Sequence, residues 1–441
     1  MIRKFYFLDT TLKFGAKAFK LIMAHKNLET SYILLPYEPA KYEHSGAVGP
    51  DDLLFGLHMW KRAVLTCRQA GFRRIFLVSD DGLETMNLNH MEGGGALADI
   101  EFISRENAAV MANEDESALI LDWNTVLQPG LLKKLNSGES DGTTKILLDR
   151  NDKPVGLAFM DGAAVRKFFA GSAGHELSAA EWAKNGEEGN GATGISPSDT
   201  ADQFYGSVTN RSELRLAEKG LLMGTRHRPH YFMDTHFHSI FSTMISRWLL
   251  YTPLTANQVT LMGLPIALAS FWLFSRGDYW SGLLAGLLLV FSAIWDCCDG
   301  EIARLKFQQT DHGEALDLAV DNITNVATFT GLALGYSKLV GQPLAFGLTF
   351  ILLVAGFLIF MAVYFPRSQG KAGRFTGTFL DPLVYILVTR DYVYVVLLFC
   401  LLGKAGEFLW LAAIGSSLLA LILWTGRALI SPEGKTRTAS A

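Results

Sequence analysis

The chain has 441 residues, 49% of them hydrophobic and 19% charged, with a formal net charge of −4. At roughly 150 residues per domain this length predicts two or three domains. The apolar content excludes a mainly disordered chain, and no basic excess exists to hold a nucleic-acid backbone. The four cysteines, Cys67, Cys297, Cys298 and Cys400, form no C-x-x-C pair and exclude a disulfide scaffold.

The average hides a division. Residues 1–225 carry 54 Asp, Glu, Lys and Arg, whereas residues 258–441 carry 24. The first half has the composition of a water-exposed domain and the second does not. Met1-Ile2-Arg3-Lys4 is basic, but no apolar core of signal-peptide length follows, so no cleavable signal peptide is expected.

In the first half, strand-like runs alternate with helical ones. Strands are predicted at Tyr32–Leu35, Arg74–Val78, Ile100–Ile103, Leu119–Leu121, Lys145–Leu148, Val155–Phe159 and Phe204–Val208. Helices are predicted near 11–24, 51–70, 129–136, 162–169, 178–184 and 211–220. That order predicts an α/β sheet with crossover helices over 1–225. The glycine-rich stretch Asn185–Asp199 reads as a loop.

A linker, 226–257, follows. Within it Phe237, Ile240, Phe241, Met244 and Trp248 recur at helical spacing. Such a helix either lies in the membrane interface or packs on the bundle. Thr252-Pro253 ends it.

Six apolar segments come next, at about 258–275, 279–303, 314–336, 343–365, 384–403 and 405–429. Most approach the roughly 20 residues that cross a bilayer, so an all-α six-helix transmembrane bundle is expected over 258–430, with a tail at 431–441. Eleven Lys and Arg fall on one side (Arg226, Arg228, Arg247, Arg304, Lys306, Arg367, Lys371, Arg374, Arg427, Lys435 and Arg437). Three fall on the other (Arg276, Lys338 and Lys404). The asymmetry predicts an integral membrane protein whose N-terminal domain and C-terminus face the cytoplasm.

The chemistry is concentrated at the junction of the second and third segments. Asp296, Asp299 and Gly300 are followed by Ala303 and Arg304, then by Gly313, Asp317 and Asp321. Charge at membrane depth is costly and calls for partners. Asp296 and Asp299 are three residues apart and Asp317 and Asp321 four, so each pair projects from one helix face. A short connection makes the helices antiparallel neighbours, and four carboxylates converge. Left alone they repel one another. Mg²⁺ or Mn²⁺, both suited to all-oxygen ligation, removes the conflict. Gly300, Ala303 and Gly313 leave space for a ligand or for close helix packing. Arg304 offers a fixed cation suited to phosphate.

The stretch resembles the signature of the CDP-alcohol phosphotransferase family, D-x2-D-G-x2-A-R-x8-G-x3-D-x3-D, matching every fixed position. The segment Thr252–Thr260 is similar to the one that opens the family's first span. The resemblance implies a transferase that joins an acceptor alcohol to a CDP-linked substrate and releases CMP. It implies two Mg²⁺ or Mn²⁺ ions on Asp296, Asp299, Asp317 and Asp321, with Asp321 also the general base. It implies a CDP pocket lined by Gly300, Ala303, Arg304 and Gly313, with Asn257 and Thr260 nearby, and a homodimer formed through the bundle. Arg367, Lys371, Arg374 and Arg390 are candidates for an acceptor or lipid phosphate, or plain positive-inside bias.

The domain order resembles the bifunctional enzymes that place an inositol-phosphate cytidylyltransferase before this membrane domain. Residues 118–135 resemble the strand-to-helix segment after which those enzymes hold a metal. The resemblance implies a nucleotidyltransferase-like, Rossmann-like fold. The departures imply a lost site. Leu35 runs into Pro36 and Pro39 with no glycine before Gly46, although a triphosphate loop needs backbone N–H groups. Asn124 stands where a metal-binding aspartate is expected, and 204–210 offers no second carboxylate. Asp122 is a candidate shifted substitute. A degenerate domain that docks, regulates or recruits a partner is expected, with an active cytidylyltransferase as the alternative.

The leading expectation is phospholipid synthesis from CDP-diacylglycerol. A CDP-inositol-dependent head-group transferase, acting on an inositol phosphate or a lipid hydroxyl, is the alternative. A non-catalytic membrane protein that binds metal or lipid, or a scaffold, is the alternative of another class.

Overall fold

The computed structural model describes residues 28–35, 47–79, 100–113, 116–137, 144–149, 151–171, 178–186, 193–195, 204–225, 237–368 and 392–429. The predicted helix at 11–24 lies outside them.

Among the described residues the N-terminal half has eleven strands: β1 (Thr30–Leu34), β2 (Leu53–Leu54), β3 (Leu57–His58), β4 (Arg74–Val78), β5 (Ile100–Ile103), β6 (Ala118–Asp122), β7 (Thr125–Leu127), β8 (Lys145–Leu148), β9 (Pro154–Met160), β10 (Thr193–Ile195) and β11 (Tyr205–Ser207). Seven of them form one sheet in the order β10-β8-β9-β6-β1-β4-β5. β1 runs parallel to β4 and β6, and β9 is antiparallel to β6 and β8.

Helices α1 (Met59–Ala70), α2 (Arg105–Met111), α3 (Pro129–Asn136), α4 (Gly162–Gly171), α5 (Ala179–Gly186) and α6 (Arg211–Thr225) accompany the strands. Alternate side chains of β1 supply two cores, as the pleat requires. Tyr32 and Leu34 join Phe168 and Phe169 of α4. Ile33 joins Trp60 and Val64 of α1 and Leu221 of α6. Both sheet faces are therefore covered, which explains the near-continuous apolar strands.

Two expectations are corrected. Residues 51–58 do not open a helix. They form the β2–β3 hairpin, turned by Phe55 and Gly56 with φ of 56° and 74°. That pair of positive angles is what a two-residue hairpin turn of matching twist demands. The stretch Asn185–Asp199 is not all loop: Thr193–Ile195 adds a parallel edge strand beside β8.

The C-terminal half is helical: α7 (Ser239–Leu250), α8 (Ala256–Arg276), α9 (Tyr279–Leu305), α10 (Asp311–Val340), α11 (Gln342–Ser368), α12 (Tyr392–Leu401) and α13 (Phe408–Leu429). Ile240, Phe241, Met244 and Trp248 are exposed along one face of α7, while Ser242, Ser246 and Leu250 are buried on the other. A helix therefore stands where the spacing placed one, with its large apolar side chains exposed.

Four helices among the described residues are long and apolar enough to cross a membrane, and they fall in α8, α9, α11 and at Ala405–Thr425. The other two predicted spans differ. The third lies in α10, thirty residues long but rich in Asp, Asn and Thr. The fifth is described only from Tyr392, as a ten-residue apolar helix. Four helices of this length and composition support a membrane protein.

One buried cluster spans both halves. Val259 of α8 and Cys298, Ile302 and Leu305 of α9 belong to the same buried cluster as Trp60, Leu77 and Leu221.

Candidate active site

The site forms where α8, α9 and α10 meet. Each helix is started by a local device. Thr255 caps α8, with its hydroxyl accepting from the Gln258 N–H while Gln258 Oε1 accepts from the Thr255 N–H at 2.9 Å. This reciprocal pair satisfies two N–H groups that a helix start otherwise strands. Thr310 caps α10, its Oγ1 accepting from the Gly313 N–H at 3.0 Å. The T-x-x-Q signal at Thr255 was readable in the sequence.

Between α9 and α10 lies the turn 306–310. Lys306 N–H donates to Ile302 O and Gln308 N–H to Ala303 O, both at 2.8 Å. Phe307 between them has φ 56°. Such a closure ends a helix sharply and normally uses glycine. Lys306 Nζ donates to Thr252 O at 2.8 Å and to Leu254 O at 3.0 Å. Gln308 Oε1 accepts from Ala256 N–H at 2.9 Å. The turn is thus tied to the start of α8. Lys306 and Gln308 lie between the fixed motif positions, and no sequence signal marked them.

This frame converges the carboxylates. Oxygens of Asp296, Asp299 and Asp317 lie within 4.8 Å of one another. Asp299 is buried, and Asp296 and Asp317 are half-buried. Asp321, buried at 2% exposure, stands one turn further along α10 and outside that group of three. Thr260 Oγ1 donates to Asp299 Oδ2 at 2.6 Å, a charge-assisted bond that fixes the carboxylate's rotamer. Trp295 Nε1 donates to Val259 O at 2.8 Å and locks α9 to α8.

The donor set fits a divalent cation. All three groups are carboxylates, two from the end of α9 and one from the start of α10, and they offer the hard oxygen donors that Mg²⁺ and Mn²⁺ prefer. Their close approach without a cation carries a repulsion that a cation would cancel. Among the described residues no other group of three such side chains converges.

The candidate CDP-pocket residues gather around the carboxylates. Nε and Nη2 of Arg304 are buried and donate to no group among the described residues. Such a guanidinium suits an anionic ligand. A Cβ at Gly300 would stand 3.4 Å from Arg304 Nη1, so the glycine keeps the guanidinium's approach open. A Cβ at Gly313 would stand 3.0 Å from Asn257 Oδ1. The structure therefore brings Asn257 and Gly313 together, as it does Thr260 and Asp299. Ala303 lies on the same last turn of α9. Of the acceptor candidates, Lys371, Arg374 and Arg390 lie outside the described residues, and Arg367 is placed only as backbone of α11.

In the α/β half, Asp122 is already engaged. It accepts from Ser178 Oγ at 2.7 Å and from the Ala179 N–H at 2.8 Å, capping α5. A Cβ at Gly156 would meet Asp122 Oδ2 at 2.5 Å. Burial pushes the Asp122 carboxyl up to about 6 despite these bonds. The side chain acts as a buried helix cap. Asn124 continues the chain into β7, its carbonyl accepting from the Val208 N–H at 2.9 Å. The run Pro36–Gly46 lies outside the described residues.

Residues 253–430 match the family model described as CDP-alcohol phosphatidyltransferase. A curated relative, the "Bifunctional IPC transferase and DIPP synthase" of Rubrobacter xylanophilus, is 28% identical over 185 residues, which is 41% of this chain and 40% of that protein. The phosphatidylinositol phosphate synthase of Corynebacterium glutamicum is 29% identical over 136 residues, 30% of this chain and 58% of that one. The match thus spans less than half the length of the first of these relatives. Among solved structures, the inositol-1-phosphate CTP transferase of T. maritima is 13% identical with a TM-score of 0.33, covering 44% of this chain and 97% of that one. The helical part that carries all four aspartates, residues 253–430, is a domain of the CDP-alcohol phosphatidyltransferase family.

Proposed function

We propose that this protein is a membrane transferase that moves a phosphatidyl group from CDP-diacylglycerol to a polar alcohol and releases CMP. The observation that carries the reading is the convergence of Asp296, Asp299 and Asp317 beside Asp321 and the buried, unbonded edge of Arg304.

In this reading the acceptor hydroxyl oxygen attacks the phosphorus distal to the cytidine. A new P–O bond forms, the bond to the bridging oxygen breaks, and its electrons leave with CMP. Asp321 takes the hydroxyl proton. Its burial holds it away from bulk water, one helical turn beyond Asp317 on α10. Arg304 binds the donor's phosphate charge. Gly300 and Gly313 leave the walls low enough for the donor's phosphates to lie against backbone. Asp296, Asp299, Asp317 and Asp321 would hold two Mg²⁺ or Mn²⁺ ions, which supply charge neutralisation at the attacking and leaving oxygens. The family works with a divalent metal. Transfer of this kind needs mainly positioning and electrostatics.

The lipid donor is favoured by the phosphatidylinositol phosphate synthase relative and by the engagement of Asp122 in a cap. The latter argues that the α/β half makes no CDP-inositol of its own. The bifunctional relative favours the second reading, a CDP-inositol head-group transferase. In both readings the α/β half, the carboxyl tail and the metal site share the cytoplasmic side, and copies of the bundle pair as homodimers.

The test is CMP release by the purified chain in lipid with Mg²⁺ or Mn²⁺. CDP-diacylglycerol and CDP-inositol are offered in turn, each with inositol, inositol phosphate, glycerol phosphate or serine. Asp321→Asn should cost about a hundredfold or more. Release from CDP-diacylglycerol alone supports the lipid reading. Release from CDP-inositol alone replaces it with the second. No release above the Asp321→Asn background from any pair counts against both.

A further inference from the structure

The α/β half reaches the transferase centre through one side chain. Arg62 of α1 is 4% exposed. Its Nη2 donates to Leu305 O at 2.6 Å and lies 3.4 Å from Leu54 O. Its guanidinium stands over the rings of Phe307 and Phe55, at 5.3 and 5.7 Å from their centroids. Among the described residues no carboxylate pairs with it. A buried cation without a counter-charge is expensive to keep. Burial pulls its pKa down to about 9.

What the guanidinium touches is informative. Leu305 is the last residue of α9, next to Arg304, and its carbonyl is one of those a helix end leaves unmet. A cation at a helix C-terminus also complements the macrodipole. Phe307 holds a left-handed backbone at φ 56°, costly for a bulky aromatic residue. Glycine would sit there without strain. An aromatic ring here gives the Arg62 guanidinium a second face to stack on, beside that of Phe55. Gln69, two turns along α1, donates to Gln309 Oε1 at 2.7 Å. The turn between the two aspartate-bearing helices is therefore gripped from the α/β half on one side and from the start of α8 on the other.

We propose that Arg62 is a positioning residue for the transferase centre, and that through it the α/β half sets the geometry of the 306–310 turn and hence of Arg304 and the Asp317 helix. The inference rests on the transferase reading above. It gives the α/β half a role in catalysis without any chemistry of its own.

The test uses the full-length chain in lipid with Mn²⁺. Arg62→Gln, Arg62→Lys and Phe307→Gly are compared with the unaltered protein. CMP release, CDP binding and thermal midpoint are measured. The expected result is an active unaltered protein and an Arg62→Gln variant that loses up to about a hundredfold in kcat/KM at temperatures where it is still folded. The loss appears mainly as a raised KM for the CDP donor, because Arg304 is the group nearest the loosened end. Arg62→Lys recovers part of it, since an ammonium can still reach Leu305 O but cannot stack. Phe307→Gly keeps the bond to Leu305 and relieves the strained backbone, yet raises the donor KM without lowering the midpoint. A purely structural anchor would give the reverse: a lower midpoint and an unchanged KM.

Wild-type kinetics in a folded Arg62→Gln, or in Phe307→Gly should Arg62→Gln fail to fold, would overturn the proposal while the transferase reading stands. An unaltered protein that binds CDP but turns over no pair shifts the readout to CDP affinity, where the same order of variants is expected and equal affinities overturn it. An unaltered protein that neither turns over nor binds CDP removes both readings.

Discussion

Asp122 illustrates how a buried carboxylate can serve the fold. It lies at the end of β6 with its two oxygens turned onto Ser178 and the start of α5. Desolvation outweighs these bonds, so its pKa rises from 3.8 to about 6. The sign follows. Between about pH 4 and pH 6 the folded chain binds a proton here that the unfolded chain has released, so this site's contribution to stability falls as pH rises through that window and is gone above it. Two pKa units correspond to at most ~3 kcal/mol. The thermal midpoint of the purified chain in detergent should therefore rise as the buffer is taken from pH 7 to pH 5, through this site. Asp122→Asn, which keeps an acceptor for Ala179 and carries no charge, should flatten that rise and raise the midpoint at pH 7. An unchanged slope in the variant would assign the pH dependence elsewhere.

The helices show why part of the site was legible and part was not. Spacing alone put Asp296 with Asp299 and Asp317 with Asp321, because an α-helix returns to the same face every three or four residues. It could not rank them, and the structure sets Asp321 apart from the other three. The bond from Thr260 to Asp299 and the placing of Asn257 against Gly313 depend on how α8 leans on α9 and α10, which no local pattern encodes. The hairpin at 51–58 was missed because two-residue strands have no period, and Phe55-Gly56 is a weak turn signal. The 30-residue α10 is the instructive span. Its apolar content is low, yet Gly331 and Gly335 let it approach α8 closely. A Cβ at Gly331 would stand 2.7 Å from Phe271 O, and one at Gly335 would stand 2.2 Å from Phe274 O. Both obstacles are backbone, which cannot swing aside. Gly335→Ala should lower the thermal midpoint in detergent, at the overpacking cost of about 1–3 kcal/mol. Gly356→Ala, on α11 where a Cβ meets nothing within 4 Å, is the control and should be neutral or better. Equal midpoints for the two would mean that α8 and α10 part easily, and the close approach would carry no weight.

At the scale of the whole molecule, the two halves differ in composition yet share a buried cluster. The division in charge density invites a picture of two units on a tether. The buried cluster around Ile33, Trp60 and Leu221 nevertheless continues into Val259, Cys298, Ile302 and Leu305, and Tyr251 Oη donates to Glu218 Oε1 at 2.6 Å across the same boundary. Ile302 is fully buried on a membrane helix, yet it sits in the core of the α/β half. A cavity there is felt by whatever packs around it. Ile302→Ala should cost about 2–5 kcal/mol and speed amide hydrogen exchange in α1 and α6. Leu332→Ala is a comparable truncation at 2% exposure within the separate bundle core, and it should leave α1 and α6 protected. If both variants left the exchange of α1 and α6 unchanged, the shared core would be contiguous without being cooperative. If only Ile302→Ala exposes them, folding of the α/β half and the shape of the aspartate-bearing helix end are one equilibrium. The α/β half would then be needed to keep the site in register.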